Sequence, residues 1–309
     1  MGTENRTSAA PASAPRTFSY RISQLIGFLV GARFFMALLL KFALYVSTFF
    51  LFNQEENLRQ FVFDFRVHGI IFCAVLSILA GGIINQFYDV EKDHLIKPFR
   101  TRLQSFLKQK YFLYAYIILN TVSLGVAFFI SYRVFLFYLL YQFLMWFYSH
   151  KLSRLLILNN LTFVALTLYP FFGMLVYYRT FSGKVMMMAA FLFLMLLMID
   201  IIKDTLTAKA DRIFGYTTIP IYFGKKTASV ISVFLLISTL LVSAVILYGI
   251  GFYRIMGWYF IAGFAVILTA VFQMFRNTRN ARFITLNLLR LWIFIGILAM
   301  LADGIVQKY

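Results

Sequence analysis

Long apolar runs alternate along this chain with short polar segments that are mostly basic. The runs are about 18 to 25 residues long, enough to cross a hydrocarbon core of about 30 Å as helices. They predict spans at 24–52, 67–89, 111–130, 133–149, 155–178, 185–205, 228–250, 253–275 and 286–306. The fourth begins after a split at Ser131–Tyr132–Arg133, without which 111–149 would form one overlong span. The expected fold class is therefore all-α, a polytopic membrane bundle of about nine transmembrane helices around a central cavity. Residues 1–19, rich in Ser, Ala and Pro, read as a disordered cytoplasmic tail. The transmembrane domain takes up 20–309.

Loop charge orients the bundle. With the N-terminus inside, the tail, 90–110, 150–154, 206–227 and 276–285, with Lys203 counted on the same side, carry nineteen Lys and Arg, and the opposite loops carry seven. That asymmetry puts the active loops and the N-terminus in the cytoplasm. The expected setting is a multi-pass protein of a bacterial inner membrane. Arg33, Lys41 and Arg290 fall inside spans, where a cation is expensive and faces a partner or an interface.

Composition agrees. Of 309 residues, 62% are apolar and 13% charged, against about 25% charged in soluble domains. The net charge of +18 reads as lipid-facing and topology-setting rather than as a nucleic-acid surface, since no basic face with interleaved exposed aromatics occurs. Cys73 is the sole cysteine and lies in an apolar run, so neither a disulfide framework nor a cysteine metal site is expected.

Two polar constellations interrupt the pattern. In the first, Asn85, Asp89 and Asp93 are spaced N-x3-D-x3-D. On a helix they share one face over about 12 Å. One amide and two carboxylates on a stripe suit Mg²⁺, which takes hard oxygen ligands and completes its shell with water and substrate phosphates. In the second, Asp200 and Asp204 lie one turn apart and Asp211 follows seven residues later. Asp200 ends the apolar run 191–199, and an ionisable group at that depth marks function. Asn85 and Asp200 are 115 residues apart, as are Asp89 and Asp204. This is the weak internal symmetry of a two-half bundle with one central site. Facing acidic helix ends become compatible when divalent cations bridge them to a polyphosphate. Lys92, Lys97, Arg100, Arg102, Lys151, Arg154, Lys203, Lys209 and Arg212 lie on the same side, and some of them would neutralise that anion.

These residues resemble the UbiA superfamily of intramembrane prenyltransferases. The first constellation is similar to that family's first aspartate-rich motif. Lys97-Pro98-Phe99-Arg100 resembles the stretch that follows it. Tyr148-Ser149 through Arg154, with Asn160 beyond, is similar to the family's Tyr-Ser segment. Lys203-Asp204, Asp211, Gly215, Thr218-Ile219-Pro220 and Gly224 resemble the second motif and its tail. The resemblance implies that Asn85, Asp89, Asp93, Asp200, Asp204 and Asp211 form the catalytic set. It also implies that Asn85, Asp89, Asp93, Asp204 and Asp211 hold Mg²⁺ on a prenyl diphosphate, and that Lys97, Arg100, Lys151, Arg154 and Lys203 bind the diphosphate. The polyprenyl group would pass as an allylic cation to a hydrophobic or aromatic acceptor, either a quinone precursor or a glycerol-phosphate lipid precursor. The Lys203-Asp204 form looks more like the lipid-glycerol branch. Thr207 and Ala210 depart from the second motif, where an acidic residue and a glycine are usual. Arg100-Thr101-Arg102 stands in place of an Arg-Pro pair. The residues alone leave an alternative open, a multi-span transporter or binding protein for an anionic lipid-like ligand.

Overall fold

In a bilayer an apolar segment can satisfy its backbone N–H and C=O groups only within itself or in a closed barrel. Runs of about twenty residues separated by short loops leave the helix as the solution. The computed structural model describes residues 18–53, 57–276 and 278–308, and every regular element among them is helical. In chain order these are α1 (Phe18–Gly31), α2 (Phe34–Ser47) running into a π turn at Thr48–Phe52, α3 (Leu58–Phe63), α4 (Phe65–Tyr88), α5 (Val90–Ile96), α6 (Pro98–Gln104) and α7 (Gln109–Ile130). They continue with α8 (Tyr132–His150), α9 (Leu158–Tyr178), α10 (Gly183–Ile213), α11 (Ile219–Tyr222), α12 (Lys225–Ile250), α13 (Ile255–Phe275) and α14 (Arg279–Lys308). The tail expected over 1–19 lies outside the described residues except for its last two positions, which begin α1.

Eight helices among the described residues are long and apolar enough to cross a membrane: α2 with its π turn, α4, α7, α9, α10, α12, α13 and α14. The chain is an all-α integral membrane protein. The remaining expected span, 133–149, is present as α8. Its Tyr, Trp and Gln side chains make it less apolar, and it uses two tyrosines and a glutamine for packing on α4 and α9. Tyr138 donates to the Ile70 carbonyl (2.7 Å), Gln142 to Ser77 (3.1 Å) and Tyr141 to the Leu166 carbonyl (3.1 Å). The split before α8 is real. Ser131 is extended, and its hydroxyl accepts from Val134 N at 3.2 Å, capping the new helix.

The first span differs from expectation. Residues 24–52 do not form one helix, because the chain breaks after Gly31 and Arg33 adopts a left-handed conformation (φ 54°). A non-glycine residue there is strained unless its surroundings hold it. Here α4 does so. Gly82 brings the α4 backbone so close that a Cβ would stand 2.9 Å from the Ala32 carbonyl oxygen, and the Arg33 guanidinium is anchored on α4 (below). The crossing segment is thus α2 with its π turn, while α1 packs against α6.

The apolar side chains collect in two main cores. One is built by α2, α4, α7, α8 and α9, with Tyr138 and Tyr141 at its centre. The other is built by α10, α12, α13 and α14, around Met195, Leu236 and Ile267. The two acidic constellations lie where the halves meet, with α10 packed against both α9 and α5.

The close approach at Gly82 generates a prediction. Gly82→Ala forces backbone to shift and should destabilise the protein by about 1–3 kcal/mol. Gly125→Ala, where an added Cβ meets nothing within 4 Å, should not. Thermal unfolding of both variants in detergent checks the difference.

Candidate active site

The second constellation is carried by one uninterrupted helix. α10 runs to Ile213, past the end expected at 205, so Asp200, Asp204 and Asp211 stay in helical register. All three are buried, at 1%, 3% and 1% exposure. A carboxylate taken from water at such depth is costly unless paired or hydrogen-bonded, and each of these is. Lys203 pairs with Asp200 and lies 3.7 Å from Asp204. The first turn of α9 supplies two amides. Asn160 Nδ2 donates to Asp200 (2.8 Å) and to Asp204 (2.9 Å), and Asn159 Nδ2 donates to Asp204 (3.2 Å). Tyr148 on α8 in turn donates to Asn159 Oδ1 (3.0 Å).

The first constellation straddles a slight break. α4 ends at Tyr88 and α5 begins at Val90, yet the backbone bonds continue from Asp89 N to Asn85 O (3.0 Å) and from Asp93 N to Asp89 O (2.8 Å). The expected stripe therefore survives. Asn85 Oδ1 accepts from Arg33 (2.5 Å), and Asn85 Nδ2 donates to Asp89 Oδ2 (3.1 Å). Asp93 is buried and pairs with Lys97, one turn on, at 3.0 Å.

The loops after the two motifs join them. Gly215 (φ 72°) reverses the chain after α10, a conformation glycine adopts without strain. Tyr216 is thereby folded back, with its N–H on the Asp211 carbonyl (2.8 Å) and its hydroxyl donating to Asp89 Oδ1 (2.5 Å). Burial first, then the adjacent Asp89 carboxylate, push the Tyr216 phenol above its ordinary value, so it remains a protonated donor. Lys92 crosses from α5 to pair with Asp211 (2.8 Å), with Nζ 3.7 Å from the centre of the Tyr216 ring. Thr207 donates to the other Asp211 oxygen (2.6 Å). The Arg154 guanidinium lies 5.5 Å from the same ring.

The six acidic and amide residues expected from the sequence are thus gathered at one end of the bundle, in two groups bridged by Lys92 and Tyr216. The expected diphosphate-binding cations are distributed differently. Lys203 sits between Asp200 and Asp204, Lys97 sits on Asp93, and Arg154 flanks Tyr216. Arg100 instead donates to the Val30 carbonyl (3.0 Å) at the end of α1. Lys151 is exposed and makes no ion pair among the described residues. Three members escaped the sequence reading. Tyr216 and Asn159 carried only weak signals, a neighbouring glycine and a neighbouring asparagine. Arg33 stood out as a cation inside a span, but nothing indicated that it would hold Asn85.

Among the described residues, no three of His, Cys, Asp and Glu converge into a metal cage. Mg²⁺ does not require one, since one or two carboxylates plus substrate phosphates are its usual protein shell. The donor set Asn85, Asp89 and Asp93, on successive turns with Asp89 half-buried, fits a cation completed by a phosphate ligand.

The profile of the UbiA prenyltransferase family matches residues 58–295. A digeranylgeranylglyceryl phosphate synthase of Thermococcus gammatolerans is 28% identical over 213 residues, which cover 67% of this chain and 75% of the relative. Among solved structures, a digeranylgeranylglyceryl phosphate synthase superposes with a TM-score of 0.66 at 18% identity, over 92% of this chain and 99% of the other. A UbiA homologue from Archaeoglobus fulgidus bound to GPP and Mg²⁺ superposes with a TM-score of 0.62 at 16% identity, over 89% and 99%.

The shared amide generates a second prediction. Asn160→Leu leaves Asp200 and Asp204 each short of a donor. It should cost about 1–3 kcal/mol, the usual penalty for buried groups left unsatisfied. Thermal unfolding against Asn287→Leu, an exposed position on α14, isolates the effect.

Proposed function

The chain belongs to the UbiA prenyltransferase family and is an intramembrane prenyltransferase, and from that premise we propose that it joins a polyprenyl group to the hydroxyl of a glycerol-phosphate-type lipid acceptor, with Mg²⁺ as cofactor. The observation that carries the reading is the meeting of the two acidic motifs at one end of the bundle, bridged by Lys92 and Tyr216 and flanked by Lys203 and Arg154. The names of the relatives favour the glycerol-phosphate acceptor over the aromatic quinone precursor, the acceptor that the sequence reading put first. Their archaeal sources favour an archaeal cell membrane over the bacterial inner membrane expected from the sequence. The basic loops around the site favour a cytoplasmic placement.

Asn85, Asp89 and Asp93 would hold the cation, which supplies positive charge to the phosphate oxygens when bound. Arg33 keeps the Asn85 amide oriented, and Tyr216 does the same for Asp89. Lys203 and Arg154 add fixed positive charge beside the leaving diphosphate, where low polarity strengthens their field. The allylic C–O bond breaks with both electrons departing on the diphosphate oxygen. A bond then forms between the allylic carbon and the acceptor hydroxyl, whose proton leaves to water or to the diphosphate. The aromatic side chains of the spans suit the apolar prenyl chain and the face of an allylic cation.

Turnover of labelled geranylgeranyl diphosphate by the purified protein in detergent tests this. It should proceed with a geranylgeranylated glyceryl phosphate as acceptor, stop when EDTA removes Mg²⁺, and fall by about 10²–10³ in Asp89→Ala, as for loss of a charge-stabilising group. Turnover with an aromatic acid alone would reassign the acceptor. Absence of turnover with both acceptors, together with undiminished diphosphate binding by Asp89→Ala, would reject the reading.

A further inference from the structure

The two motifs look like copies in sequence but are not equivalent in space. The first has two carboxylates. Asp93 is paired within its own helix to Lys97, whose side chain is 44% exposed. That ammonium reaches solvent, although Asp93 itself is buried. The second motif differs at Asp211. Asp200 and Asp204 are held by Lys203 and the two α9 amides. Asp211 is held on one oxygen by Lys92 and on the other by Thr207. Lys92 comes from the opposite motif, is 17% exposed at its side chain, and lies over the Tyr216 ring. A divalent cation at Asp211 would have to expel that ammonium and strip it from the ring face. Thr207, where the family resemblance leads one to expect a carboxylate, brings no charge to offset this.

We infer that the Lys92 ammonium takes the place of a second divalent cation at Asp211. The diphosphate is then held by a single Mg²⁺ on the first motif and by a lysine on the second. The inference rests on the prenyltransferase reading and adds to it the metal requirement of the site. An ammonium has three donors. Its ion pair with Asp211 and its contact with the Tyr216 ring leave donor capacity for a diphosphate oxygen. When the allylic C–O bond breaks, the electron pair leaves with the diphosphate oxygen, and Lys92 hydrogen-bonds the oxygens that gain charge without giving up its proton.

The metal count is measured directly, with no turnover required. Mn²⁺ replaces Mg²⁺, and a non-cleavable geranylgeranyl thiodiphosphate serves as the probe. Electron paramagnetic resonance of the wild-type complex should show a single bound Mn²⁺ and no spin-coupled pair. At saturating Mn²⁺, Lys92→Met should weaken binding of the probe roughly tenfold or more, as expected for the loss of one charge-assisted hydrogen bond, and Lys92→Arg should restore most of it. The double variant Lys92→Met/Thr207→Asp should gain a second Mn²⁺. A coupled pair in the wild type overturns the inference whether or not any variant folds, and so does unchanged probe binding by Lys92→Met. Both of those outcomes leave the prenyltransferase reading standing. Complete absence of probe-dependent Mn²⁺ binding would remove both.

Discussion

A carboxylate withdrawn from water must meet a cation or a hydrogen-bond donor, and four of them, Asp93, Asp200, Asp204 and Asp211, lie buried at one end of this bundle. Much of the surrounding architecture follows from that demand. The first turn of α9 is placed so that Asn159 and Asn160 reach α10. The loop after α10 turns back at Gly215 so that Tyr216 reaches Asp89, beneath the ammonium that neutralises Asp211. Even the break before α2 belongs to the same network, because it delivers Arg33 to the amide of the first motif. The apolar cores hold the halves together, but the polar network sets how they are aligned.

The symmetry visible along the chain is therefore partial. The 115-residue offset places corresponding side chains on corresponding helices. The first motif nevertheless sits at a helix end with Asp89 half-buried and one loosely held pair. The second lies on a continuous helix with every oxygen of Asp211 engaged. One half presents a half-buried carboxylate at a helix end, and in the other Asp211 is neutralised by a lysine of the first. A single change of charge, Thr207 in place of an acidic residue, is the sequence trace of that division.

Much of this was legible beforehand. Span positions follow from apolar length, and the split at Ser131 follows from the excess length of 111–149. The two acidic stripes follow from helical periodicity, which the structure preserves even across the irregularity at Asp89. What escaped depends on contacts between distant elements. Gly31-Ala32-Arg33 carries no local instruction to stop a helix, and the left-handed Arg33 exists because Gly82 and Asn85 receive it. Tyr216 and Asn159 are ordinary residues until a loop and a helix start bring them beside carboxylates. For the cations, sequence identifies the side of the membrane but not the partner. That is why Arg100, expected at the diphosphate, is found tying down α1, and why Lys151 stands apart.

The division into two cores also bears on how the protein comes into being. A chain that emerges from its N-terminus inserts α2 to α9 first, and these already share a hydrophobic core of their own. At that stage Arg33 and Asn85 can meet, but Asp89 has no tyrosine, Lys92 has no counter-charge, and the amides of α9 have nothing to bind. Arrival of α10 and its loop supplies all three at once. The reactive centre is therefore assembled only when the second half of the chain begins to arrive, across the seam between two separately cored halves.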